Sequence, residues 1–337
     1  MAKFGRITTI VYVTLIAAGA HAGTAMAQNP QPIEMRLSTA TLNDAQHEWM
    51  KRFAVAIGKN TNGRIKADVY PASQLGSIPR QIEGTQTGAI QGWFGPPEFL
   101  VGVDRRFEVL SAPGLFKNEK QAFKVFDDAP FEKMFLSMAE NKGLTGIALF
   151  YVGPSSYDMR IPVQHIADLQ HKKIRVLASQ FQTEPLARLG ATGVPLSLGD
   201  VLPALQQGTI DGAQGAVSVF TALKYYDAAK YMFETRHVHF YSIGMLSKRW
   251  FDKLPPDLQS QIFATSKQIT AEILPYSLDF LDQQRKSWVA HGGQLIELSD
   301  AERTELDQKT RSVGDDIVKQ HPEMKQVWDM LGAIADR

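Results

Sequence analysis

Between Lys172 and Gly215 the chain reads KKIRVLASQFQTEPLARLGATGVPLSLGDVLPALQQGTIDGAQG, with an arginine inside a run otherwise built for burial. Ile174, Arg175, Val176 and Leu177 have the character of a short strand. A period of two puts Ile174 and Val176 on one face and Arg175 and Leu177 on the other. Each face carries an apolar residue, so each is expected to be at least partly buried. A buried guanidinium needs an anion of matching geometry. That anion is one of the protein's own carboxylates, with Asp200 and Asp211 the nearby candidates, or it is a ligand that arrives from solvent.

The rest of the chain alternates strand and helix in the manner of a mostly parallel α/β protein. Ile33 to Ser38 reads as a strand. Asn43 and Gln46 then make a capping box for a helix carrying Trp49, Phe53 and Ile57, which stops at Asn60-Thr61-Asn62-Gly63. A strand over 64–70, a helix centred on 80–87 and a strand over 89–94 complete a βαβαβ opening, and the strand-end loops of such sheets are where ligands bind. Gly95-Pro96-Pro97 cuts the third strand short, which predicts Phe94 in the core and Trp93 in a pocket wall. Helical material over 119–141 and a strand over 144–151 follow. Gly153 to Ser156 reads as a crossover into a second lobe whose alternation runs from Ile166 to Val238, and Phe240 to Ile243 brings the chain back. A long helical stretch opens at Leu254-Pro255-Pro256 and runs to about His291, with a kink or break expected at Pro275. Gln294 to Leu298 is a late strand, Ser299 to Glu302 a capping box for a helix reaching Lys319, and His321-Pro322 separates a last short helix. This pattern assigns residues 28–152 and 239–285 to lobe I, and residues 153–238 and 286–337 to lobe II.

Residues 1–27 read as an export signal: Lys3 and Arg6, an apolar run from Ile10 to Ala20, and the small-residue tripeptide Ala25-Met26-Ala27 before Gln28. The run is shorter than the roughly 20 residues a membrane span needs, so cleavage after Ala27 and a soluble periplasmic product are expected. The formal charge is +1, and it becomes −1 once Lys3 and Arg6 are removed. A near-neutral chain without a basic cluster argues against a nucleic-acid partner. With no cysteine, thiol catalysis, disulfides and thiolate metal sites are excluded.

Motifs for turnover are missing. There is no G-x-S-x-G elbow, no G-x-G-x-x-G and no P-loop, and His47-Glu48 lacks the second histidine of a zinc protease. His237 and His239 lie two apart in a strand-like run, but no spacing supplies further ligands, so no metal or other cofactor is expected. The balance tips toward binding without chemistry.

Five blocks, in order along the chain, resemble the solute receptors of tripartite ATP-independent periplasmic (TRAP) transporters of the DctP type. They are Thr61 to Ile65, Tyr70 to Gly76, Ala112 to Phe116, the stretch from Lys172 to Gly215, and Leu254 to Gln259. The resemblance implies a type II-like two-lobed α/β binding protein with a ligand cleft between lobes and a long bracing helix. It implies a monomeric receptor, not an enzyme, that passes an organic acid to a small and a large membrane subunit. It also implies that Arg175 holds the acid's carboxylate.

Three departures from the family pattern narrow the ligand. Ser155 stands where many relatives have a second arginine, Gly215 stands where the later motif has Asn, and Asp200-Val201-Leu202 replaces Glu-Val-Tyr. Each polar group buried with a ligand needs a partner, and these changes remove partners. The expectation is therefore a monocarboxylate with an apolar, even aromatic, body. Trp93, Gly95, Leu198, Gly215 and Tyr241 would surround it, and Ser155 and Gln214 would read a hydroxyl or keto oxygen. Arg160 is a further cation within reach of the site, or a surface residue beside Pro162. A C4-dicarboxylate or sugar-acid receptor, a signalling receptor and a periplasmic enzyme on the same scaffold are the alternatives.

Overall fold

The computed structural model describes residues 31–336, together with Met1 and Gly5; apart from those two residues, the expected export signal lies outside the described residues. Strand β1 (Ile33–Thr39) pairs in parallel with β2 (Ile65–Tyr70) and with β3 (Gly92–Gly95), through helices α1 (Ala45–Asn60) and α2 (Ile78–Thr87). Helix α1 starts one residue later than the capping box suggests. Asn43 takes the left-handed conformation at φ 53°, which asparagine tolerates, and this leaves Asp44 to accept the backbone N–H of His47 at 3.0 Å as the cap. Trp49, Phe53 and Ile57 are buried against the sheet. Phe94 packs against Trp49 with ring centroids 4.6 Å apart and the rings tilted by 35°, and belongs to that core.

Two 3-10 segments, Pro97–Leu100 and Arg105–Ser111, follow β3. The helical material beyond is split into α3 (Glu119–Asp127) and α4 (Ala129–Ser137), because Asp128 accepts the N–H of Phe131 and starts a new helix. Strand β4 (Leu144–Pro154) ends the first pass.

The chain enters a second sheet one residue later, at β5 (Ser156–Met159). This sheet adds β6 (Lys173–Val176), α5 (Gln180–Arg188), β7 (Thr192–Pro195), α6 (Leu198–Gln207), β8 (Gly212–Gly215), α7 (Val217–Ala222) and β9 (Tyr231–Glu234). Strand β10 (His239–Ser247) returns to the first sheet and inserts antiparallel between β3 and β4. After α8 (Lys248–Phe251), the 35-residue helix α9 (Pro256–Ala290) runs without a break through Pro275. It packs on α1 and β4 at one end and on α7 and β11 (Gln294–Glu297) at the other, so it spans both sheets. Helices α10 (Asp300–Thr310) and α11 (Val313–Gln320) lie on α5, and α12 (Lys325–Ala335) lies on α3 and α4. The final orders are β2-β1-β3-β10-β4 and β11-β9-β5-β8-β6-β7. The result is the two-lobed mixed α/β architecture that the alternation of elements predicts.

Candidate functional site

Strand β6 ends in the alternation its sequence dictates. Ile174 and Val176 join a core with Leu186, Leu189 and Phe233, and Arg175 and Leu177 turn to the other face and line a cavity. Arg175 is only 3% exposed. It donates through Nε to the carbonyl of Leu196 at 2.9 Å and through Nη1 to the carbonyl of Gln214 at 3.2 Å. No carboxylate among the described residues pairs with it, and burial pushes its pKa down to about 10. Neither internal candidate is paired with it. Asp211 accepts the N–H of Lys173, and Asp200 is exposed in the first turn of α6.

One acidic residue does share the row. Asp158 on β5 registers with Ala213 on β8, which registers with Arg175. Neither oxygen of Asp158 has a hydrogen-bond partner, and burial holds its carboxyl well above the usual range. Burial opposes its ionisation, so this carboxyl is a poor counter-ion for a cation two strands away. Arg175 is therefore a desolvated charge whose backbone acceptors steer it without cancelling it.

The cavity has a volume of about 50 Å³, room for roughly three to five water-sized groups. Trp93, Gly95, Pro96 and Phe99 face Arg175, Leu198, Gly215 and Phe220 across it, with Tyr241 from β10. Glycine is needed at two of these positions. A Cβ at Gly95 would lie 2.4 Å from Cζ2 of Trp93, and one at Gly215 would lie 2.7 Å from Cζ of Phe220. Each bare backbone thus seats an aromatic ring in the wall. Tyr241 shows the cavity only its ring, because its hydroxyl donates to the carbonyl of Ala122 at 3.0 Å.

Six of the eight residues expected at the site line the cavity, and Ser155 and Gln214 do not. The hydroxyl of Ser155 accepts the N–H of Val238 at 3.1 Å and lies 3.2 Å from Nδ1 of His237, so it ties the two crossover segments together. Gln214 follows Ala213 on β8, and alternation turns its side chain to the opposite face; only its carbonyl serves the site. Arg160 is exposed and outside the wall. His237 and His239 are buried, and burial pushes them down to about 3 and about 4. They act as neutral hydrogen-bonding groups, toward Ser155, Thr235 and Tyr157 in one case and Tyr151 in the other.

Sequence reasoning missed the polar wall of the first lobe. Thr39, Thr41 and Gln46 line the cavity at the end of β1 and the start of α1. The signal was available, since this is the carboxyl end of a strand in a parallel sheet. Asp44 organises the group, accepting from Thr41 at 2.9 Å and from Gln46 at 3.1 Å.

Two α/β lobes with a long brace and a cavity between their strand ends make a solute receptor. The family model for bacterial extracellular solute-binding proteins, family 7 (DctP), matches residues 38–321, and the chain belongs to that family. It is 29% identical over 237 residues to the C4-dicarboxylate-binding periplasmic protein DctP of Rhodobacter capsulatus, covering 68% of this chain and 69% of that one. It is 26% identical over 226 residues to the 2,3-diketo-L-gulonate-binding periplasmic protein YiaO of Escherichia coli, covering 67% and 69%. Among solved structures, a TRAP periplasmic solute-binding protein from Desulfovibrio salexigens with bound orotic acid superposes with a TM-score of 0.85 at 21% identity, covering 90% of this chain and 99% of that one. The sugar-acid-binding protein of Advenella mimigardefordensis in complex with galactonate gives 0.85 at 23%, covering 91% and 98%. The chain is thus a TRAP-type solute-binding protein, and the two relatives named above are periplasmic proteins.

Proposed function

We propose that this receptor captures a compact monocarboxylate with an apolar body, closes its two lobes over it and delivers it to the small and large membrane subunits of a TRAP transporter. The observation that carries the reading is Arg175, a buried cation at an apolar cavity with no carboxylate of its own. A carboxylate entering the cavity would pair with the guanidinium through charge-assisted bonds. The second charge of a dicarboxylate would meet no second cation in the wall, where Arg175 is the one basic side chain among the described residues. Aromatic and aliphatic groups supply most of the rest of the contact, beside the polar side chains of Thr39, Thr41 and Gln46. Contacts made by both lobes at once favour the closed form, which is the shape a membrane partner would recognise. The orotic acid in the Desulfovibrio salexigens receptor is an example of a planar carboxylic acid on the same fold.

The test is mass spectrometry of the ligand released from freshly purified protein, with a thermal-shift series of monocarboxylates, succinate, malate and sugar acids. A monocarboxylate with an apolar body should be released and should give the largest shift. Succinate, malate or a sugar acid in that place would overturn the reading. Chemical change of the bound acid on long incubation would point to an enzyme instead, and loss of induction with intact uptake on gene deletion to a signalling receptor.

A further inference from the structure

The polar side chains of the cavity wall are nearly all spoken for within the protein. Thr41 donates to Asp44, and Gln46 donates to Asp44 and accepts the hydroxyl of Ser242 at 3.1 Å. Thr39 shares its hydroxyl with Thr41 at 3.2 Å. Beside Arg175, the exception is Trp93. Its ring lies against Gly95 in the wall, the residue is 1% exposed, and its Nε1–H is buried with no hydrogen-bond partner. Buried donors without acceptors are uncommon, and each needs an explanation.

An indole N–H donates and never accepts. It lies in β3 of the first lobe, and Arg175 lies in β6 of the second, on the other side of the cavity. We infer that Trp93 is a specificity residue whose N–H donates to an oxygen on the body of the ligand, so that the preferred monocarboxylate carries an oxo group as well as its carboxylate. This rests on the monocarboxylate reading above and deepens it. An oxo oxygen only accepts, and it completes the indole N–H without further demand. A hydroxyl would bring a proton of its own, and Thr39, Thr41 and Gln46 each already accept one hydrogen bond within the protein, so that proton would have to share an acceptor. The reading of oxygen assigned from sequence to Ser155 and Gln214 passes to Trp93, because the hydroxyl of one and the orientation of the other remove them from the wall.

The experiment compares 2-oxopentanoate, 4-oxopentanoate and pentanoate by calorimetry on the full chain, as wild type and as Trp93→Phe. At least one oxo acid should bind the wild type about tenfold more tightly than pentanoate, the ratio one hydrogen bond supplies. Trp93→Phe should erase that ratio, whatever the smaller ring does to the affinity for pentanoate itself. Equal binding of oxo acids and pentanoate to the wild type would overturn the role of Trp93 and leave the monocarboxylate reading standing, and so would a preference that survives in Trp93→Phe. Absence of binding by all three would overturn both. If Trp93→Phe melts early, β-(3-benzothienyl)alanine at position 93 keeps the bicyclic shape without the N–H, and the same ratio decides.

Discussion

The carboxylate of Glu108 accepts the backbone N–H of Gln180 at 2.9 Å, and the same oxygen takes the hydroxyl of Ser179 at 3.0 Å. Glu108 sits in the 3-10 segment that packs on β10 of the first sheet, and Ser179 and Gln180 open α5 on the second. A negative charge at a helix N-terminus is well placed, and here it joins the two lobes. Glu108→Gln should therefore weaken the closed form by about 1–2 kcal/mol. In stopped-flow measurements the retained ligand should leave the variant several-fold faster, with its association rate nearly unchanged. An unaltered dissociation rate would show that this bond does not report closure.

On the proposed reading Arg175 holds the ligand's carboxylate, and in the empty protein it is a desolvated cation. Arg175→Ala should abolish the ligand-induced thermal shift, a loss of at least about 3 kcal/mol of binding for a desolvated charge pair with one partner gone. Arg175→Lys should retain a weakened shift, because an ammonium lacks the planar fork that meets a carboxylate through two parallel bonds. Circular dichroism of both variants should match the wild type. A full shift in Arg175→Ala would remove the guanidinium from the site.

Much of this arrangement is legible in the chain because it depends on local periods. Alternation alone puts Arg175 and Leu177 opposite Ile174 and Val176, and the Gly-Pro break puts Trp93 at an edge. The same rule, carried to β8, would have turned Gln214 away from the cavity; the family motif obscured it. What stays hidden is contact between distant segments. Glu108 and Gln180 are 72 residues apart with no shared pattern, and Ser155 finds His237 and Val238 only once two crossover segments lie side by side. Helix α9 continues through Pro275, where local propensity predicts a kink or break; its packing on both sheets offsets the lost backbone bond.

Glu98 gives a stability signature with a definite sign. Burial drives its carboxyl up to about 7, against the opposing hydrogen bond from Ser111 and with a further push from Glu108. The unfolded carboxyl titrates near 4.5, so between pH 4.5 and 7 the folded protein holds a proton that the unfolded chain has released. Stability from this group is greatest below pH 4.5 and falls as pH rises toward 7, by about 3 kcal/mol in all. Glu98→Gln can still accept from Ser111 and carries no charge. Urea denaturation at pH 5 to 8 should show the variant gaining on the wild type as pH rises, by about 1–3 kcal/mol at pH 8. Parallel curves for the two proteins would show that Glu98 is ionised throughout.

The bare backbone at position 95 gives the sharpest steric prediction. A methyl group there would collide with the Trp93 ring, with Cζ2 at 2.4 Å and Cε2 at 3.1 Å, and the ring is buried. It cannot swing aside without displacing its neighbours, so Gly95→Ala should cost about 1–3 kcal/mol of stability through overpacking. The displaced indole would intrude on a cavity of about 50 Å³, which has little space to give. Ligand-induced stabilisation should therefore fall further than overall stability does, and tryptophan emission should shift as the ring moves. Gly102→Ala, where a Cβ would meet nothing within 4 Å, is the control and should leave both measurements unchanged. If Gly95→Ala binds like the wild type, the ring of Trp93 does not form the wall that the ligand meets.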